Sequence, residues 1–394
     1  MRSRLTSLAL LFAVVGSAAF QIVLLVVAGW SGIEMVGAAS LNQSLAVLAC
    51  AIALSDLKSL SIRTLVQGES LEHLCRIRNA LLVLLGVFSA IAYLFPGGGM
   101  LASLLLLKAS AQAADINVSV WQKEKRADLI ILFASLRYGG VGGILAVLAL
   151  ISGSFLQGLV VASAFSVLLL FIEQNKASGK NSQNGMSWQI ASLEHFKNLK
   201  LVGAYASLSL AAGLNFIPQT ILRYFVSLFG SMKTLGSFSI QYQVAMLCIP
   251  LITAMSQNAL ARRETKWRQI VSDLVKIGVA SSFLLLGVMV LFISPASIIL
   301  KMVFTSWVPL PALSSVMIVI SSGFLCLTVY LGFISVALGK PFAQSVANVF
   351  YLASLLAFAG LFGFIYGVSG VIFGFAIATL IRLILLFAIV RSAS

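Results

Sequence analysis

Long uninterrupted apolar runs dominate this chain and limit what it can fold into. A helix needs about 20 apolar residues to cross the roughly 30 Å hydrocarbon core of a bilayer. No water is available there to hydrogen-bond an exposed backbone, so such runs fold as helices. Twelve spans are predicted, at approximately 5–29, 35–57, 79–95, 99–121, 129–151, 154–173, 201–229, 235–258, 272–294, 309–338, 342–362 and 367–390.

The composition agrees with a multi-pass membrane protein. Hydrophobic residues make up 60% of the chain and charged residues only 9%, whereas about a quarter of residues are charged in soluble globular proteins. The first apolar run, Leu5 to Ala28, exceeds the roughly 7 to 15 residues of a signal-peptide core, so we interpret it as a retained first helix. The predicted fold class is all-α integral membrane, with about 12 transmembrane helices.

The positions of Lys and Arg predict the orientation. With the N-terminus inside, 21 of the 26 cations lie in inner segments and two, Lys233 and Lys301, in outer segments. This asymmetry follows the positive-inside rule and places both termini in the cytoplasm. The net charge of +15 is explained by topology and by contact with anionic lipids, so it does not indicate nucleic-acid binding. The remaining three cations, Lys108, Arg137 and Arg223, lie within spans.

The chain divides into two predicted lobes of six spans each. Residues 1–174 form the N-terminal lobe and residues 201–394 the C-terminal lobe. Between them, residues 175–200 form a cytoplasmic linker whose second part, from Met186 to Phe196, has the periodicity of an amphipathic helix. Because six is an even number, we expect the lobes to be related by a pseudo-twofold axis along the membrane normal, with a cleft between them.

A weak internal repeat supports this division. An offset of 199 residues aligns Met35–Arg63 with the second half without a gap and gives five identities over 29 positions. An offset close to half the chain length is typical of a duplicated unit. The identical positions are Gly37 with Gly236, Ser40 with Ser239, Ala46 with Ala245, Leu48 with Leu247, and Arg63 with Arg262.

No catalytic or metal-binding motif is present in the sequence. The two histidines, His73 and His195, lie in predicted inner linkers, and the four cysteines are isolated in or beside apolar runs. There is no phosphate-binding GxxxxGK[ST] loop, and the longest outer connection runs only from Pro295 to Val308. The sequence therefore favours a transporter over an enzyme, without a cofactor or a metal.

Charges within the spans are the best indicators of function. Each costs roughly 2.5 to 3.5 kcal/mol to insert, so it requires a partner or a hydrated cavity. Asp115 and Arg137 lie at similar depths in the fourth and fifth spans. Two interpretations of Asp115 remain open: a structural ion pair with Arg137, or a carboxylate that binds a coupling proton or sodium ion.

Lys108 and Arg223 lie in the outer half of their spans. Either they extend outward to the interface, or they line a water-filled cavity that attracts an anion. Asn215 and Gln219 precede Arg223 along one helix face, and Pro218 predicts a local break, as in a polar path or a packed kink. The candidate substrate-binding residues are Arg223, Lys108, Arg137, Asn215 and Gln219.

The segment from Asn215 to Gly236, with its Arg223-Tyr224 pair and its Leu235-Gly236-Ser237-Phe238 helix start, resembles the Wzx-type polysaccharide flippases of the multidrug/oligosaccharidyl-lipid/polysaccharide superfamily. The likeness extends over essentially the whole chain. One departure is Pro218, which stands away from Arg223, whereas the family pattern has proline directly before Arg-Tyr. Further matching segments are Ser59–Leu65, Ala337–Pro341 and Tyr366–Gly370.

The resemblance implies a flippase in a bacterial inner membrane. It would move undecaprenyl-pyrophosphate-linked oligosaccharide repeat units, as for O-antigen, from the inner to the outer leaflet by alternating access through a cationic central cavity. Its partners would be this substrate, membrane lipids and other polysaccharide assembly proteins. The polyprenyl tail can stay in lipid, whereas the pyrophosphate and sugar hydroxyls need a polar path.

Two alternatives remain. A drug or cation antiporter of the same superfamily should carry more acids than bases in its spans, and here Asp115 faces three cations. An integral-membrane polysaccharide polymerase should carry an outer catalytic loop, which the short outer connections do not provide.

Overall fold

The structure is a computed structural model of the chain, and it describes residues 2–54, 71–177, 199–249, 252–253, 267–293, 297–304, 307–338 and 341–393. All regular secondary structure in these ranges is helical. The predicted amphipathic helix of the linker, the Ser59–Leu65 segment, and Gly339 and Lys340 lie outside the described residues.

The first half begins with two long helices and continues with shorter ones. Between α6 and α7, residues Ser135–Gly140 form a π-helical segment. The helices are α1 (Arg2–Trp30), α2 (Ile33–Leu54), α3 (Glu72–Tyr93), α4 (Gly98–Ala113), α5 (Asp115–Lys123), α6 (Ala127–Ala134), α7 (Val141–Ser152) and α8 (Phe155–Ala177).

The second half contains six helices within the described ranges. Ser231 caps the second of them, where its hydroxyl accepts a hydrogen bond from the Thr234 backbone N–H at 3.2 Å. The helices are α9 (Leu199–Leu228), α10 (Met232–Ala245), α11 (Trp267–Ile293), α12 (Ser297–Val303), α13 (Ala312–Ala337) and α14 (Pro341–Ala393).

The length and apolar character of these helices confirm an all-α membrane protein. Eight stretches of the described residues are long and apolar enough to cross a membrane. The last, Gln344–Ser392, spans 49 residues, which suffices for two crossings at about 20 residues each. It is divided at Gly367, where φ is 62° and ψ is −144°, a conformation open essentially to glycine alone. This division falls where the sequence separates the eleventh and twelfth spans.

The chain forms two compact units. The first comprises Met1–Val27 and Asn42–Phe216, and the second comprises Ala28–Leu41 and Ile217–Ser394. The facing ends of α1 and α2 therefore belong to the second unit, and the first part of α9 belongs to the first. The lobe boundaries predicted at residues 174 and 201, and the twofold relation between the lobes, remain predictions.

In the first unit, α8 packs against α4 and α7, and α3 packs against α4. The π-helical segment carries Arg137 and Tyr138 next to this packing. A π-helix inserts one extra residue per turn and so rotates the side chains that follow it, a feature found often at functional sites.

In the second unit, α13 packs against α11 and α14. The core here includes Phe238 and Tyr242 of α10, Tyr351 and Phe375 of α14, and surrounding aliphatic residues. Two cysteines that are far apart in sequence also meet in this unit, since the Sγ atoms of Cys248 and Cys326 lie 3.0 Å apart.

Two glycines in the second unit allow α2 and α10 to touch through their backbones. A methyl group on Gly37 would collide with the carbonyl oxygen of Met232, and one on Gly236 would collide with the carbonyl oxygen of Ile33. These two glycines are the positions paired by the internal repeat. Small residues at such crossings are typical of membrane helices, because packing there depends on close approach.

We predict that Gly37→Ala and Gly236→Ala each destabilise the protein by about 1 to 3 kcal/mol, as overpacking does. The measurement is the apparent melting temperature of the purified protein in detergent. Gly278→Ala in α11 is the control, since a methyl group there meets nothing within 4 Å. Equal melting temperatures for Gly37→Ala and the control would contradict the backbone contact.

Candidate functional site

Arg223 lies in α9 and turns towards the interior of the second unit. Its Nε donates to the hydroxyl of Ser40 at 2.9 Å, and its Nη1 donates to the backbone carbonyl of Gln219 at 3.3 Å. The side chain is partly buried. Its outward extension to the interface, one of the two interpretations from the sequence, is therefore not what the structure shows.

An aromatic stack lies beneath the Arg223 guanidinium. The Cζ atom of Arg223 is 5.3 Å from the ring centroid of Tyr242, within the range of a cation–π interaction. Tyr242 in turn stacks on Phe238 at 5.5 Å and meets Phe375 edge-on at 6.0 Å. The Tyr242 ring fixes the orientation of the guanidinium plane. Its π-electrons stabilise the positive charge, but they supply no counter-charge.

Arg223 retains hydrogen-bonding capacity. A guanidinium has five N–H donors, and the described contacts use only some of them. No carboxylate among the described residues forms an ion pair with it. A cation that is held in place, partly buried and uncompensated by an acid is suited to bind an anionic group through its planar fork.

The polar residues predicted below Arg223 occupy the same helix. Asn215 and Gln219 are both partly buried, and α9 continues through Pro218 without interruption. Proline removes one backbone hydrogen bond, but the expected local break in the helix is not observed. Gln219 is tied to Arg223 through its carbonyl oxygen, which leaves its side-chain amide for other contacts.

A second buried arginine lies in this unit, at a position that is not among the candidates predicted from the sequence. Arg382 is only 8% exposed, and its Cζ lies 5.2 Å from the ring centroid of Tyr351. It is also close enough to Tyr242 for an electrostatic interaction. Arg382 is one of the 21 cations that the positive-inside count assigns to inner segments, whereas in the structure it lies within α14. Its position inside the predicted 367–390 span was the feature of the sequence that could have indicated its burial.

The first unit contains a small polar cavity that brings together two of the predicted cations. Lys108 from α4 and Arg137 from the π-helical segment both line a cavity of about 30 Å³. The hydroxyl-bearing residues of its wall come from three different helical segments. The lining residues are Ser17, Phe20, Leu107, Lys108, Ala111, Arg137, Tyr138, Val141 and Ser166.

Arg137 is compensated by Glu173, an acid at the end of the sixth predicted span. Its Nη2 lies 2.6 Å from Oε1 of Glu173, and the two side chains are 6% and 1% exposed. Its Nη1 also donates to the carbonyl oxygen of Ser110 at 2.8 Å. An ion pair of Asp115 with Arg137 is one of the two interpretations that the sequence leaves open. The structure places Glu173 there, because α8 extends to Ala177 and carries Glu173 into the unit. Asp115 begins α5 and interacts electrostatically with Glu173.

A further buried polar group lies at the start of α3. Arg78 is fully buried and donates from Nη2 to Oε1 of Gln174 at 2.6 Å and to Oδ1 of Asn79 at 2.9 Å. Arg78 is also one of the 21 cations that the positive-inside count assigns to inner segments, and the structure shows that its side chain is buried. In the sequence, Arg78 is a single cation beside an apolar run, and nothing there indicates that the side-chain amides of Asn79 and Gln174 surround it.

These observations define a multi-pass helical membrane protein with buried cationic groups in each of two units. No protein-family model matches the chain, and no curated protein sequence matches it.

Its fold is that of known membrane transporters. The lipid II flippase MurJ, in an inward closed conformation, aligns with a TM-score of 0.70 at 14% identity over 98% of this chain and 87% of MurJ. An inward-facing multidrug resistance MATE family transporter of the MOP superfamily gives 0.62 at 14% identity over 96% and 94%. The Vibrio cholerae MATE transporter VcmN in its bent form gives 0.58 at 16% identity over 100% and 96%. At such identities the likeness concerns the fold.

We predict that Glu173→Gln destabilises the protein by about 3 to 5 kcal/mol, because it leaves a buried Arg137 without its counter-charge. The apparent melting temperature in detergent is the measurement. The double variant Arg137→Met with Glu173→Leu should be more stable than Glu173→Gln alone, since it removes both charges.

The exposed pair of Arg126 and Asp128 offers a matched control. Its N–O distance is 2.8 Å, but the side chains are 49% and 63% exposed. Asp128→Asn should cost no more than about 1 kcal/mol. Similar losses for Glu173→Gln and Asp128→Asn would show that Arg137 does not depend on Glu173.

Proposed function

We propose that this protein is a transporter of the MOP superfamily that flips a lipid-linked oligosaccharide. In this proposal the substrate carries a pyrophosphate on an undecaprenyl tail, as in the Wzx-type flippases. It passes from the inner to the outer leaflet of a bacterial inner membrane, both termini are cytoplasmic, and the protein acts by alternating access without catalysis. Other proteins of polysaccharide assembly are its proposed partners.

The observation that carries the proposal is Arg223. Its guanidinium is positioned by Ser40 and Tyr242 and has no acidic partner among the described residues. A pyrophosphate offers several charged oxygens, which match the paired N–H donors of arginine. The fold supports the proposal as well, since it is shared with a structure described as a lipid II flippase.

Each of the other predicted residues has a different role in this proposal. Asn215 and Gln219 supply amides that bind sugar hydroxyls along the same helix. Lys108 adds a positive charge to the path without a carboxylate partner in the described ranges. Arg137 is already neutralised by Glu173, so we assign it to positioning, and Asp115 remains a candidate for ion coupling.

The second candidate function is a drug or cation antiporter, because several of the similar structures are MATE transporters. A cationic substrate requires an acid that is available to it. Glu173 is the one acidic side chain among the described residues that is fully buried, and Arg137 occupies it. The charges therefore favour an anionic substrate.

The direct test is a headgroup-crossing assay in proteoliposomes with a defined undecaprenyl-pyrophosphate oligosaccharide. We expect the protein to accelerate crossing over protein-free vesicles, with a known flippase as the positive control. Absence of acceleration where the known flippase is active would contradict the proposal. Efflux of a cationic dye without headgroup crossing would support the antiporter instead.

We predict that Arg223→Ala lowers the crossing rate by roughly tenfold or more, since a hydrogen bond to a charged group contributes about 1.5 to 3 kcal/mol. The amount of folded protein should fall much less. Arg223→Lys should retain part of the activity, because it keeps the charge and loses the fork.

Arg126→Ala removes an exposed arginine and serves as the control, with little change in rate expected. If Arg223→Ala lowers the rate and the amount of folded protein equally, Arg223 is a structural residue.

A further inference from the structure

The cavity at Lys108 is too small for the substrate proposed above. Its volume is about 30 Å³, whereas pockets for drug-sized ligands measure roughly 300 to 1,000 Å³. A cavity needs about 10 to 15 Å³ to hold one water molecule. The cavity therefore has room for about two waters or for one small ion.

The charge of the cavity wall favours an anion. Of the nine lining residues, Lys108 and Arg137 are cationic and none is acidic. Glu173 compensates Arg137 at 2.6 Å and does not line the cavity. Lys108 forms no ion pair with any described acid, and the thiol of Cys50 is close enough to interact with it electrostatically. Asp115 begins the next helix and does not line the cavity, although it and Glu173 are close enough to Tyr138 of the wall to interact with it electrostatically.

Hydroxyl donors complete the wall. Ser17, Tyr138 and Ser166 line the same cavity as Lys108. The Ser166 hydroxyl also lies 2.6 Å from the hydroxyl of Ser110, and either oxygen can be the donor. An ammonium group with several hydroxyls around a space of this size is a suitable set of donors for a weakly hydrated monovalent anion. An uncompensated ammonium in an apolar unit is unstable unless it acquires a counter-ion or water.

We propose that this cavity is a binding site for a small monovalent anion, with chloride as the reference ligand. Lys108 supplies the charge, and Tyr138 and Ser166 supply hydrogen bonds. The π-helical segment carries both Tyr138 and Arg137. The ion pair of Arg137 with Glu173 therefore holds the segment that presents the Tyr138 hydroxyl to the cavity. The proposal shares Lys108 with the substrate path proposed above, but it can fail separately, because chloride binding is measured without a lipid substrate.

The test uses the full-length protein in detergent, transferred to a chloride-free gluconate buffer of constant ionic strength. Equilibrium dialysis with radioactive chloride should show saturable binding of about one chloride per chain, and bromide should compete. The apparent melting temperature should rise with chloride over the same concentration range. Folding of each variant is verified in gluconate.

Lys108→Met removes the charge while keeping a long side chain, and it should weaken chloride binding at least tenfold. Lys301→Met removes an exposed lysine of α12 and should bind as the unaltered protein does. Tyr138→Phe tests the site without removing a charge and should weaken binding severalfold, which keeps the test decisive if Lys108→Met fails to fold.

Three results would overturn the proposal. The first is no saturable binding to folded protein, which would mean that the cavity holds only water. The second is unchanged chloride binding in Lys108→Met. The third is competition by inorganic phosphate at concentrations equal to those of bromide, since a site of this volume should exclude a tetrahedral oxyanion.

Discussion

The free energy needed to keep a charge in an apolar interior governs the polar architecture of this protein. Arg137 is neutralised by Glu173, and Arg78 is surrounded by the amides of Asn79 and Gln174. Arg223 donates hydrogen bonds to a hydroxyl and a backbone carbonyl and lies over an aromatic ring, whereas Lys108 lines a small cavity. This series runs from full to minimal compensation. The functional proposals rest on the last two side chains, because a ligand gains most from a cation that the protein has not already neutralised.

Two features of the helices place these charged side chains: a close contact between two helix backbones, and a short segment of π-helix. The contact at Gly37 and Gly236 brings α2 against α10, and Ser40, one turn further along α2, reaches Arg223. In the first unit, a π-helical segment rather than a regular helix carries Arg137 and Tyr138. Both devices use main-chain geometry to hold polar side chains, and they keep the backbone hydrogen-bonded as an apolar solvent requires.

The sequence predicted the fold class because this depends on local properties, namely the length and the apolar character of each run. Nine of the twelve predicted spans coincide with stretches of the described residues that are long and apolar enough to cross a membrane. The sequence also selected Lys108, Arg137 and Arg223 as candidates, since a charge inside an apolar run is conspicuous in isolation, and their role in binding remains a prediction. Partners were harder to find. Glu173 lies at the end of a span and Arg382 inside one, and only the packing of α8 and α14 shows that both are buried. Asp115 appeared the natural partner of Arg137 because depth along a helix can be counted in sequence, whereas the rotation of one helix against another cannot.

The fold by itself does not decide between anionic and cationic substrates, since MurJ and the MATE transporters align with this chain at 14% to 16% identity. The decision therefore depends on which buried charges are available. Glu173, the fully buried acid of the described residues, is occupied by Arg137. Arg223 keeps N–H donors that no described acid accepts. A cationic drug would meet positive charge without a counter-charge, whereas a pyrophosphate would supply the missing counter-charge. On these grounds the buried charges agree better with the anionic headgroup that we propose than with a cationic drug.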